Sequence, residues 1–93
     1  MNPSRKKRQW FVYILECGDG TLYTGITNNV EARIELHRAG KGAKYTRGRL
    51  PLRLVCTILC RNKGAALKKE YAIKKLSKDK KLALIKKSNR VIK

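Results

Sequence analysis

Trp10–Glu16, WFVYILE, is a run of aromatic and β-branched residues that reads as a buried strand. Cys17-Gly18-Asp19-Gly20 follows it with turn chemistry, since Asp and Gly accept the positive φ of a tight hairpin, and residues 21–27, TLYTGIT, return as a second strand. Loop length then sets the register. With a three-residue loop, 18–20, residue 17 faces 21, 15 faces 23 and 13 faces 25, which puts Tyr13 and Tyr23 on one face of the sheet. A loop of two or four residues would put them on opposite faces, because a one-residue slip exchanges faces.

The rest of the chain follows from caps and breakers. Asn28 is a good helix N-cap, with Glu31 three residues on as in a capping box, and Gly40 is placed to end that helix. Residues 41–51, KGAKYTRGRLP, form a loop with four basic residues around Tyr45. Residues 52–60 read as a third strand and residues 62–76 as a second long helix; Ser77 can cap a third helix through about residue 87. The order β-β-α-β-α-α is a small α+β domain with a three-stranded sheet. At 93 residues there is room for one core, expected over residues 10–87 between a basic N-terminal arm, 1–9, and a loose tail, 88–93.

Charge decides the class of partner. The chain carries 24 Lys and Arg against six acidic residues, a net +18, densest from residue 61 onward, where 13 basic residues face Glu70 and Asp79. Such an excess opposes compaction unless an anionic partner is part of the design, and nucleic acid is the leading one. A membrane surface is disfavoured, because lipid binding couples basic residues to a large apolar face. The apolar run 10–15 is too short and strand-like for a signal peptide, and nothing approaches the length of a membrane helix. Three cysteines, at 17, 56 and 60, lack CxxC spacing and have one histidine in the chain to help them, which argues against structural zinc and suits a reducing cytoplasm, the expected location.

Two helices put polar residues where apolar ones belong. Wound at roughly 100° per residue, VEARIELHRA collects Ala39, Ala32, Leu36, Arg33, His37, Val30 and Ile34 on one broad arc and Arg38, Glu31 and Glu35 on the other. Arg33 and His37 therefore sit one turn apart inside the apolar arc. An arginine there must be paired, bind an anion or line a cleft, because an unpaired buried charge is very costly. Singly, a snorkelling Arg and a hydrogen-bonded core His would be ordinary; together, on so basic a chain, they point to phosphate. On the second helix Glu70 lies among Ala66, Leu67 and Ile73, with Lys74 at i+4. It can pair with Lys74, and it is also the hard oxygen ligand a hydrated Mg²⁺ needs.

Phe11-Val12-Tyr13, then Tyr23-Thr24-Gly25, followed in order by Arg33, His37 and Glu70, resembles the GIY-YIG nuclease family; GAKYTRGRLP, LRLV and KKEYAIKKLS are similar to small stand-alone bacterial members and to the nuclease domain of structure-specific endonucleases. The resemblance spans about residues 10–87. It implies a central three-stranded antiparallel sheet flanked by helices and divalent-metal-dependent hydrolysis of phosphodiester bonds in DNA. Carried over by position, Glu70 would hold a single Mg²⁺ or Mn²⁺ in a water-rich shell. Tyr13 and Tyr23 would stand over the scissile phosphate, one helping to deprotonate water; Arg33 would bind phosphate oxygens; and His37 would accept or relay a proton. Nearby cations and a neutral histidine would favour the phenolate such a base requires. Phe11 stands where the first motif has glycine and Thr24 where the second has isoleucine. Lys74 and Asn89 are candidates for a polar residue that many members carry beyond the glutamate.

On this reading Lys44, Tyr45, Arg47 and Arg49 of the loop, with Lys74, would contact nucleic acid, either its backbone or a branched or nicked end. Family nucleases usually borrow specificity from an attached DNA-binding domain; this chain would either bind weakly through its own charge or act with a protein partner that supplies specificity. Two alternatives stay open: a non-catalytic basic module that binds nucleic acid through phosphate contacts alone, and a nuclease directed at RNA, since no residue here separates ribose from deoxyribose.

Overall fold

A computed structural model describes residues 9–92, with the last four of these described by their backbone only. Most of the basic N-terminal arm, residues 1–8, lies outside it. The elements are β1 (Trp10–Glu16), β2 (Leu22–Thr27), α1 (Val30–Arg38), a 3₁₀ turn (Lys44–Thr46), β3 (Arg53–Cys60), α2 (Lys63–Lys74) and α3 (Lys78–Ile92). The strands form one antiparallel sheet in the order β2-β1-β3. The hairpin loop has three residues: Leu15 pairs with Tyr23 and Tyr13 with Gly25, and the Cys17 amide donates to the Thr21 carbonyl at 2.8 Å. Gly20, at φ +85°, supplies the left-handed residue that closes such a loop.

Strand alternation makes β1 a wall shared by two cores. Val12 and Ile14 point to one side, where they pack with Cys56, Ala66 and Ile73 of α2, and Ile85 of α3. Tyr13 and Leu15 point to the other and pack with Cys17, Leu52 and Ile34 of α1. A bulge in β3 opposite Ile14 and Leu15, where Cys56 and then Leu54 are the partners, leaves Val55 as the extra residue.

The α1 helix departs from the sequence expectation in two respects. Its N-cap is Asn29, not Asn28: the Asn29 side chain accepts the Ala32 amide at 3.1 Å, while its own amide donates to Thr27 Oγ1 at 3.1 Å. Glu31 therefore stands one position short of a capping box. The buried arc is also narrower than the wheel suggested. Ile34 and His37 are its buried residues, whereas Leu36 is 41 % exposed and Ala32 and Ala39 face solvent. The helix ends as expected: Gly40 at φ +77° donates to the His37 carbonyl at 3.1 Å and Lys41 to the Leu36 carbonyl at 2.8 Å, the paired bonds of a Schellman stop.

The end of α3 also differs from expectation. The helix continues to Ile92, so residues 88–92 are helical rather than a loose tail. No glycine or proline interrupts Lys78–Ile92, so nothing in the chain stops the helix earlier.

Candidate active site

On the α1 side of the sheet, Tyr13 and Tyr23 lie with ring centroids 6.2 Å apart. Tyr13 is 1 % exposed, and its hydroxyl lies over Gly25: a Cβ there would come within 2.6 Å of Tyr13 Oη. The glycine of YTG thus leaves room for the phenol of its cross-strand partner. His37, fully buried, meets that phenol from α1, with Nε2 2.8 Å from Tyr13 Oη. Tyr23 sets its ring edge-on to His37, centroids 5.3 Å apart. Arg33, one turn before His37, is half-buried, and its Nε is buried without a hydrogen-bond partner. A buried donor left unpaired costs about 1–3 kcal/mol, which an incoming anion would recover.

Electrostatics set the protonation states. Burial, helped by the neighbouring Arg33 cation, holds His37 below its ordinary value and so neutral at pH 7. Burial pushes Tyr13 up to about 12; Arg33 pulls the other way but is outweighed. The cationic surroundings expected to favour phenolate are present in Arg33, yet the loss of hydration is the larger effect.

The glycine-rich loop is fastened to this cluster. Thr46, fully buried in the 3₁₀ turn, places Oγ1 3.0 Å from His37 Nδ1 and 2.9 Å from the Ala43 carbonyl, and the Ala43 amide donates to Nδ1 at 3.3 Å. At Gly42 a Cβ would press into Nδ1 and would lie 2.8 Å from Cγ of His37. Neither Thr46 nor Gly42 was singled out by sequence. The loop has no periodicity to mark a buried threonine, and both residues lie among the basic ones, Lys41, Lys44 and Arg47. Tyr45 stacks on Tyr23, centroids 5.9 Å apart and planes 29° from parallel. The Arg49 guanidinium lies 4.3 Å from the Tyr45 ring and 2.7 Å from Asp19 Oδ2, so its charge is already shared with the hairpin turn. Lys44 and Arg47 are exposed and have no acidic partner among the described residues.

Glu70 belongs to α2, which packs on the other face of the sheet from α1. It shares the sheet-facing stripe of α2 with Ala66 and Ile73, on the layer opposite α1, and Lys74 Nζ is 3.2 Å from its Oε2. No hydrogen bond joins it to Tyr13, Tyr23, Arg33 or His37 among the described residues, and Arg33 does not pair with it. Thr24, opposite Ile14 on the α2 side, is buried with Oγ1 unpartnered, as befits a position that otherwise takes an aliphatic side chain. Asn89 lies among the residues described by backbone alone.

The GIY-YIG catalytic domain profile matches residues 9–83 of the chain. The chain belongs to the GIY-YIG family. It is similar to small stand-alone members: 51 % identical over 89 residues to a UPF0213 protein of Desulfotalea psychrophila, covering 95 % of this chain and 81 % of that one. A UPF0213 protein of Natronomonas pharaonis is 55 % identical over 75 residues, covering 81 % and 88 %. The solution NMR structure of a Bacillus halodurans UPF0213 protein superposes with a TM-score of 0.55 at 52 % identity over 84 % of this chain and 83 % of that one. A solution structure from E. faecalis gives 0.59 at 40 % identity, covering 84 % of each. The GIY-YIG domain places the chain in a nuclease family acting on nucleic acid. No helix among the described residues is long and apolar enough to cross a membrane.

Proposed function

We propose that this GIY-YIG protein is a divalent-metal-dependent endonuclease hydrolysing phosphodiester bonds in DNA, structure-selective or weakly selective. The observation that carries the reading is the Tyr13–His37 pair with the unpartnered Arg33 Nε beside it: a phenol held by a neutral histidine next to a cation with a free donor. That Arg33 donor suits a phosphate oxygen, where it would stabilise the negative charge gained in the transition state. A tyrosine oxygen that has first given up its own proton would take that of the attacking water as the water oxygen bonds phosphorus, with the leaving oxygen protonated from solvent.

Glu70 fits Mg²⁺ or Mn²⁺ in the manner of a one-carboxylate site, in which water and substrate oxygens fill the remaining positions. The described residues bring no three acidic, histidine or cysteine side chains together as an all-protein cage. A cation held there would neutralise charge on the leaving oxygen. Lys74 competes with it for the carboxylate. Exposed Lys44, Tyr45 and Arg47 border the tyrosines and suit backbone contacts, and a partner protein would supply specificity.

The test is incubation with plasmid and branched DNA in Mg²⁺ or Mn²⁺, alongside Glu70→Gln and Tyr13→Phe. Nicking by the wild type, lost in both variants while DNA binding persists, supports the proposal. Binding without cleavage of any substrate, RNA included, would leave a non-catalytic binding module.

A further inference from the structure

Nδ1 of His37 faces two groups, and their chemistry decides where the ring proton sits. The Ala43 amide is a donor that cannot rotate, and it is aimed at Nδ1 at 3.3 Å. Thr46 Oγ1, 3.0 Å from the same nitrogen, is a rotor whose single hydrogen is shared between Nδ1 and the Ala43 carbonyl. If Nδ1 carried the proton, its N–H would confront the Ala43 N–H. With Nδ1 bare, the fixed Ala43 N–H meets an acceptor, Nε2–H meets Tyr13 Oη, and the single Thr46 hydrogen serves Nδ1 or the carbonyl, one at a time. Gly42 permits the arrangement, since any Cβ there would push the loop off the ring.

We propose that the Gly42–Thr46 segment is a positioning clamp that holds His37 in its Nε2–H tautomer, so that His37 donates to the Tyr13 hydroxyl oxygen instead of taking its proton. This rests on the nuclease reading for its consequence but not for its geometry. With Nε2–H pointed at Tyr13 Oη, His37 orients that phenol and is not the group that relays its proton. Thr46 and Ala43 touch no reacting atom, so they act through His37. Because Tyr45 is exposed beside Thr46, the loop that would meet substrate is the same loop that sets the tautomer.

The first measurement is the nitrogen spectrum of His37 in ¹⁵N-labelled wild-type protein near pH 7.5. Coupling from the ring carbon-bound protons should show Nε2 protonated and Nδ1 bare, and a protonated Nδ1 overturns the clamp. This result is independent of whether any DNA is cut, so failure of the nuclease reading and failure of the clamp are read separately. The second compares Thr46→Val, which removes the hydroxyl at nearly constant volume, with Thr46→Ser, which keeps it. Thr46→Val should lower plasmid nicking by about 10- to 100-fold, as loss of an orienting partner of a functional histidine does, with DNA affinity unchanged. Thr46→Ser should recover most of the rate. Equal rates in the two variants overturn a positioning role for Thr46.

Discussion

Gly25→Ala tests the packing on which the site depends. The added methyl would stand 2.6 Å from Tyr13 Oη, 2.8 Å from Cζ and 3.1 Å from Cε1, the first two closer than real Cβ atoms come. The phenol has little freedom to retreat, because it is fully enclosed and bonded to His37 at 2.8 Å. Overpacking of this kind costs about 1–3 kcal/mol, and loss of the buried Tyr13–His37 bond adds about 1 kcal/mol. Alanine returns about 0.5–1 kcal/mol over glycine inside a strand, and Gly25 has no positive φ to lose. The net expectation is a loss of about 2 kcal/mol, or a fall in Tm on the order of 10 °C for a domain of this size. Urea unfolding of a double-mutant cycle isolates the contact. In a Tyr13→Phe background the shortest clash is gone, so Gly25→Ala should cost about 1 kcal/mol less. Additivity within about 0.5 kcal/mol would refute the steric argument.

Other outcomes follow from buried polar groups. His37 is held below its ordinary value, so the unfolded chain binds its proton first as pH falls. Stability should therefore be full above about pH 6.5 and decline below it, toward the depressed native value. His37→Gln should flatten that slope in urea midpoints measured from pH 7.5 to 5. Tyr13 is the reverse case: raised from about 10 to about 12, it contributes stability that is complete below pH 10 and lost as pH climbs toward 12. Tyr13→Phe should remove that alkaline loss. Thr24→Val should stabilise the fold by about 1 kcal/mol in thermal or urea unfolding, because it deletes a buried hydroxyl oxygen without a partner; destabilisation would mean that the oxygen has a use the described contacts do not show.

The hairpin was legible because its information is local. The three-residue turn and the strand alternation together fix the face of Tyr13 and Tyr23, and any other loop length would have separated them. The pairing of Arg33 and His37 on the inner arc of α1 was legible for the same reason, since helical spacing alone puts them together. The breadth of that arc was not. Leu36 looks like a core residue on a wheel, but the sheet beneath α1 receives only Ile34, His37 and their near neighbours. Whether Asn28 or Asn29 caps the helix turns on the hydroxyl of Thr27, which one sequence position cannot reveal. Thr46 and Gly42 escaped notice because their importance arises entirely from a ring nine and five residues earlier, across a loop whose path follows no period. The place of Glu70 was half visible: its stripe on α2 was clear, while the side of the sheet that α2 covers is a matter of topology.

The loop that carries Tyr45 has a thermodynamic consequence of its own. A glycine-bearing stretch of this length would ordinarily have to be immobilised when a polyanion arrives, at about 0.5–1.5 kcal/mol for each flexible side chain and more for the backbone. Here it is pinned at two points before anything binds: by Thr46 against His37, and by Arg49, whose guanidinium meets Asp19 and whose carbonyl accepts the Gly18 amide at 2.6 Å. Folding has already covered that entropy, so on the proposed reading an arriving strand would meet a loop whose order is already in place, and the encounter would be governed by charge and fit instead of by ordering the chain.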